Sequence, residues 1–233
     1  MSARKKFVSF SGVDGAGKSI QIEALRAWLD AQGLRVRTIA FWDEVATLTG
    51  IREGAGHTIF KGEKGVGSPG KPVKRRDKNV QSWPMLWVRL CLYALDVLST
   101  RIQVRKALAS DTDFIIFDRY IYDQFANLNL RNRLVRGYVR FLMKVVPRPD
   151  VSYVLDADPM QARARKPEYP LEFIHLNRRA YLDLADLIGG ITIVSPGSME
   201  QVRAEVLRHA FRGLEFEDAA TEKDEGVSLQ RAG

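Results

Sequence analysis

Cysteine is nearly missing: 233 residues contain one, Cys91, set inside an apolar run. No disulfide can form within the chain, and such usage fits a reducing cytosol, so a cytoplasmic location is expected. Long apolar runs are missing too. The most apolar stretch, Pro84 to Leu98, is interrupted by Arg89 and Asp96 and is too short to span a bilayer. No leucine-rich core follows the basic start MSARKK, and the first apolar run, Phe7 to Phe10, is only strand-length, so no export signal is expected. No internal repeat is found. Charge of one sign is in deficit: 36 Lys and Arg against 28 Asp and Glu leave a net +8 and a pI near 9.7. That balance favours anionic partners without choosing among nucleotides, nucleic acid and a membrane surface.

What is present reads as one α/β domain. The chain is 45% hydrophobic, enough for a sizeable core. Short apolar segments, KFVSFSG, LRVRTIAF, DFIIFD, DVSYVLDAD and GGITIVS, read as five strands. Helical patterns fill the gaps: SIQIEALRAWLDAQG with Ile22, Leu25, Trp28 and Leu29 on one face and Gly33 as its stop, then 83–109, 121–146, 171–188 and 199–212. Alternating strands and helices predict a parallel sheet covered on both faces, with ligands beyond the strands' carboxyl ends. The expected architecture has three α/β layers, a five-stranded parallel sheet with helices on both faces: one domain over 1–213, a basic Gly/Lys-rich loop at 50–78 and a disordered tail from 214 to 233. The loop, ending KPVKRRDK, is either a solvated segment or a basic flap over an anionic ligand.

Residues Gly12 to Ser19, GVDGAGKS, fit the pattern G-x-x-x-x-G-K-[ST] in full, between a strand and an amphipathic helix. Glycines let consecutive N–H groups curl inward as an anion nest, and the helix start adds its positive dipole end. A phosphate cradle is therefore assigned to Gly12, Asp14, Gly15, Ala16, Gly17, Lys18, Ser19 and Ile20. Lys18 is expected as a solvent-facing charge for the β- and γ-phosphates, and the Ser19 hydroxyl as a ligand for Mg2+.

Three further groups carry chemistry. Asp118 ends the third strand beside Arg119; the carboxylate can reach the Mg2+ shell and the arginine can grip phosphate through two donors. Equally, Asp118 could cap the next helix while Arg119 makes a surface ion pair. Arg163, Arg165 and Lys166 form a basic cluster after Asp158-Pro159, suited to closing over transferring phosphates or simply a solvated face. Arg89, Tyr93 and Asp96 share one face of the long helix, lining a substrate pocket or forming an internal salt bridge with a core tyrosine.

Together FVSFSGVDGAGKSIQIEALRAWL, FIIFDRYIYDQFA, VSYVLDADP and FIHLNRRAYLDLA resemble the thymidylate kinase family of nucleoside monophosphate kinases, over residues 6–210. The resemblance implies a three-layer P-loop kinase fold with a short lid near 160–170, and an ATP-dependent nucleotide kinase that uses Mg2+ to move the γ-phosphoryl group of ATP to a (deoxy)nucleoside 5′-monophosphate, such as dTMP. It implies that Lys18 and Ser19 hold the ATP phosphates and metal, that Asp14 faces the acceptor's sugar and phosphate end, that Arg119 grips the acceptor phosphate, and that Arg163 and Arg165 open the lid. The chain departs from the family where acceptor contacts are expected. FWDEVATL replaces an Arg-Glu-Pro stretch, Asp96 stands for an arginine facing the base, Leu92 for a stacking phenylalanine, and Asn127-Leu128 for a Tyr-Gln pair. Arg89, Tyr93, Asp96 and Asn127 are accordingly the residues expected on the acceptor side.

Two other readings stand beside this one: a same-fold kinase acting on a nucleoside hydroxyl, with Asp118 or Asp14 as base, and an ATP-dependent protein holding nucleic acid through the 50–78 loop. The latter ranks last because no aromatic-interleaved basic surface is present. A small-molecule nucleotide is the expected partner, a membrane is not, and a homodimer stays open.

Overall fold

The computed structural model describes residues 5–46, 83–167 and 169–211, without the side chains of 83–85. The basic loop at 50–78 and the tail from 214 lie outside them. Five parallel strands form one sheet in the order β2-β3-β1-β4-β5: β1 (Lys6–Gly12), β2 (Val36–Ala40), β3 (Phe114–Asp118), β4 (Val151–Leu155) and β5 (Ile191–Val194). β1 is central. It pairs Phe10 with Asp118 of β3 and Gly12 with Leu155 of β4. The carboxyl ends of β1, β3 and β4 thus gather at one edge, where ligands sit in open parallel sheets.

Side-chain alternation sorts the strands onto two cores. Val8, Phe10, Phe114, Ile116, Tyr153 and Leu155 pack with Ile22, Leu25 and Leu29 of α1 (Lys18–Ala31) and with Val206 and Ala210 of a C-terminal helix over 199–211. Phe7, Ile115, Phe117 and Val154 face the other layer, built from α2 (Trp83–Ala109), α3 (Ile121–Phe125), α4 (Arg133–Leu142) and α6 (Leu171–Ile188). Both faces are apolar because both are covered, which is why the strands read as near-continuous apolar runs. Trp28 is the exception on α1: it is partly exposed and stacks on Phe211 at 4.3 Å. Gly33, φ 76°, ends α1, and Leu34 N–H donates to Leu29 O at 3.1 Å.

One expectation fails. The helix anticipated over 121–146 is two helices, α3 and α4, separated by 126–132. Asparagine causes the break. Asn127 Nδ2 donates to Asp123 O at 2.8 Å, Asn129 Oδ1 accepts from Arg131 N–H, and Asn132 Oδ1 accepts from Leu134 N–H at 2.8 Å as the cap of α4. These side chains offer the backbone partners that compete with helical bonds. The expected lid region holds α5 (Pro159–Arg165), started by Asp158, whose Oδ1 accepts from Gln161 N–H at 3.0 Å, with Pro159 in the first turn.

Candidate active site

The loop from β1 to α1 is held by close approaches. A Cβ on Gly12, φ 133°, would lie 2.3 Å from Leu155 O, and one on Gly15, φ 87°, 2.6 Å from Ala162 O. Gly17 has the same φ of 87° but nothing within 4 Å. Two glycines therefore let β4 and α5 press against the loop, while Gly17 supplies only a left-handed turn into α1. Arg165 Nη1 donates to Gly15 O at 3.1 Å, so the basic cluster does meet the cradle. Arg163 is exposed beside it. Ser19 and Ile20 are exposed on the first turn of α1.

Lys18 corrects the expectation of a solvent-facing charge. It is 7% exposed, and Nζ donates to Gly12 O at 3.0 Å and Val13 O at 2.9 Å. Burial, helped by the charge of Arg119, pulls its pKa down to about 8, against the pull of Asp123, Asp14 and Asp118. An ammonium folded onto carbonyls of its own loop stays near the strand ends.

Arg119 likewise makes no surface pair. Its backbone is left-handed, φ 67°, a conformation that costs a non-glycine residue about 1–2 kcal/mol. Arg119 N–H donates to Phe10 O at 2.9 Å, and the guanidinium lies between two carboxylates: Nη1 meets Asp123 Oδ1 at 3.1 Å, and Nη2 is paired closely with Asp14 Oδ1. Burial works against the charge of Arg119, but Asp123 and Asp14 outweigh it and raise its pKa. Burial also pushes the Asp14 carboxyl up, and Arg119 with Lys18, 3.9 Å away, reverses that and holds it below its ordinary value. The aspartate in a phosphate loop is thus accounted for by the arginine opposite it. Asp118, half-buried at the end of β3, does not cap α3; Tyr120 occupies that cap, and its N–H is taken by Asp123.

The stripe on α2 turns inward. Asp96 is fully buried, Tyr93 nearly so, and Arg89 is half-buried. Tyr93 shares the core with Tyr120 and Phe125. Tyr138 donates to Leu90 O, and burial, then the charges of Cys91, Tyr93 and Asp96, raise its pKa to about 12. Asn127 is spent on the end of α3 through its bond to Asp123 O.

Sequence reasoning missed the residue at the centre. Asp123 is 4% exposed and accepts from Ser11 Oγ at 2.6 Å, Tyr181 OH at 2.8 Å, Arg119 Nη1 and Tyr120 N–H. An acid within the apolar run YIYDQF was the available signal. Also missed was Asp156, just past β4, gripped by Arg178 of α6 through two bonds of 2.6 and 2.7 Å.

Mg2+ fits the donors at hand. Ser19 and Asp118 carry hard oxygen atoms, and this ion keeps several waters and takes only one or two protein carboxylates. No cluster of three or more His, Cys, Asp or Glu gathers among the described residues. No helix of the described residues is long and apolar enough to cross a membrane.

No family model matches the chain. Among curated proteins it is 25% identical over 207 residues to a probable thymidylate kinase of Methanosphaera stadtmanae, covering 87% of this chain and 95% of that one. It is 29% identical over 192 residues to the thymidylate kinase of Bifidobacterium longum subsp. infantis, covering 77% and 73%. Among solved structures, thymidylate kinase from Candida albicans superposes with a TM-score of 0.60 at 17% identity over 92% of this chain and 94% of that one. That from Ehrlichia chaffeensis gives 0.51 at 19% over 88% and 97%. The fold is that of a three-layer α/β P-loop kinase.

Proposed function

We propose, for a chain that is thymidylate kinase-like and an ATP-dependent nucleotide kinase by class, that it phosphorylates a deoxynucleoside 5′-monophosphate, with thymidylate, the substrate named by its relatives, as the first candidate. The observation that carries this reading is Arg119, a guanidinium fixed beside the cradle and aimed by two carboxylates. A phosphate anion can take the place of one of them.

The chain's own groups suit in-line transfer between two bound phosphates. The cradle loop would take the donor phosphates, and Lys18, released from Gly12 O and Val13 O, would follow the moving charge. Arg165, already on Gly15 O, and the exposed Arg163 approach from α5. Ser19 and Asp118 would hold Mg2+, which supplies neutralisation of the charge on the phosphate oxygens. No side chain has to act as general base, because the acceptor is already an anion. The hydroxyl-kinase and nucleic-acid readings gain nothing from the relatives, and the basic loop invoked for the second lies outside the described residues.

A homodimer fits the outer face of α2. Val88, Leu95, Leu98 and Ile102 are 44–53% exposed at spacings of seven, three and four residues, an apolar seam of the kind two helices share.

The test of function is ADP release with Mg·ATP against all ribo- and deoxyribonucleoside monophosphates. Turnover of a deoxynucleoside monophosphate is expected; turnover of none, or of nucleosides alone, overturns the reading.

A further inference from the structure

Arg119 is held by two carboxylates that are not alike. Asp123 is 4% exposed and its partners come from β1, the turn between β3 and α3, and α6. Oδ1 accepts from Arg119 Nη1 and Tyr181 OH; Oδ2 accepts from Ser11 Oγ and Tyr120 N–H. Two donors on each oxygen fill an ionised carboxylate, whereas a protonated one would have to give up an acceptor site. Tyr181 stays a donor here: burial, then the charge of Asp123, raises its pKa well above the ordinary value. Asp14 is different. It is 27% exposed, and its charged neighbours are Arg119, the more distant Lys18 and, weakest, Lys166.

We propose that Asp123 is a positioning residue, a fixed pivot that keeps Nη1 of Arg119 in place while Nη2 exchanges Asp14 for the phosphate of the acceptor. This rests on the reading of Arg119 as the grip on an acceptor phosphate. A phosphate dianion brings more charge and more acceptor oxygens than one carboxylate, and it meets the exposed pair first. The buried pair does not yield, because releasing Asp123 would strand an ion away from water. One arginine then reports to Asp14 that a phosphate has arrived, which favours a phosphorylated acceptor over its nucleoside.

Asp123→Asn in the full chain tests this. Asparagine keeps an oxygen for Arg119 and Tyr181 but removes the charge and sets its amide against Tyr120 N–H. The acceptor KM is expected to rise about 10-fold, as for loss of one charge-assisted bond, with the ATP KM within about twofold. Independently of turnover, 15N spectra should show Arg119 with two distinct, slowly rotating Nη groups in the wild type and averaged ones in the variant. A variant that lowers only the Tm, with Arg119 signals and KM values unchanged, overturns the pivot. Should Asp123→Asn not fold, Tyr181→Phe, which removes one donor and keeps the carboxylate, is expected to raise the acceptor KM about threefold; no change overturns it. A wild type that accepts no nucleoside monophosphate defeats the functional reading, while the Arg119 spectra still decide the pivot.

Discussion

The cradle of residues 12–20 is built from backbone, and the cluster around Asp123 is built from side chains. In the cradle, Gly12 and Gly15 are set by how close Leu155 O and Ala162 O come. In the cluster, Ser11, Arg119, Asp123 and Tyr181 arrive from three elements and meet only after the sheet has formed. The first device meets main-chain atoms only and tolerates side-chain change around it. The second is cooperative, and each member holds the others in place.

Removing the charge of the cradle's lysine should have the largest effect. Lys18→Ala is expected to lower kcat by about 10²–10³-fold, the scale seen when one preorganised donor is taken from a transition state. Circular dichroism should show the fold retained, since the lysine packs no apolar core; wild-type kcat would remove Lys18 from the mechanism. Gly15→Ala and Gly17→Ala separate the backbone devices. The first meets Ala162 O as well as a strained φ, the second only the φ. Gly15→Ala should lose at least about 2–3 kcal/mol and most turnover, and Gly17→Ala about 1 kcal/mol. Equal urea midpoints for the two would break the distinction.

A third measurement probes the coupling of the halves by pH. The Lys18 ammonium has a pKa of about 8 where the unfolded chain has 10.5. The protonated form is the one that binds phosphate, so kcat/KM should fall as pH rises through about 8. Stability has the opposite sign. Below about 8 the buried charge costs free energy; between 8 and 10.5 the unfolded chain binds more protons, so stability should rise with pH over that window. A Tm that falls over that interval, in a variant lacking other groups titrating there, would contradict the assignment. The smallest effect is expected at Asn132→Ala, which removes the cap of α4 and should cost about 1 kcal/mol by urea unfolding while leaving kcat unchanged.

How much was legible follows the same division. The bounds of β1, α2 and α6 coincide with those read from apolar periodicity, because long regular segments carry their own signal. The break between α3 and α4 was hidden, since the apolar rhythm runs on through Val146 and only the asparagine side chains interrupt it. The cradle was readable as a pattern, though the reason for two of its glycines lies in β4 and α5. Asp123 was not readable, because Ser11 is 112 residues away and Tyr181 is 58. The burial of Lys18 belongs to the same class: a motif names the residue, but the packing around strand ends decides its environment.

The contact between Gly15 and the backbone of Ala162, tied by Arg165 to Gly15 O, joins the phosphate loop and α5 into one lever. Tilting α5 must then tug the loop, and reshaping the loop must tilt α5. A spin label or dye on Met160, exposed on the outside of that helix, would therefore act as a pointer, converting ångström-scale changes in the loop into a signal read at the surface.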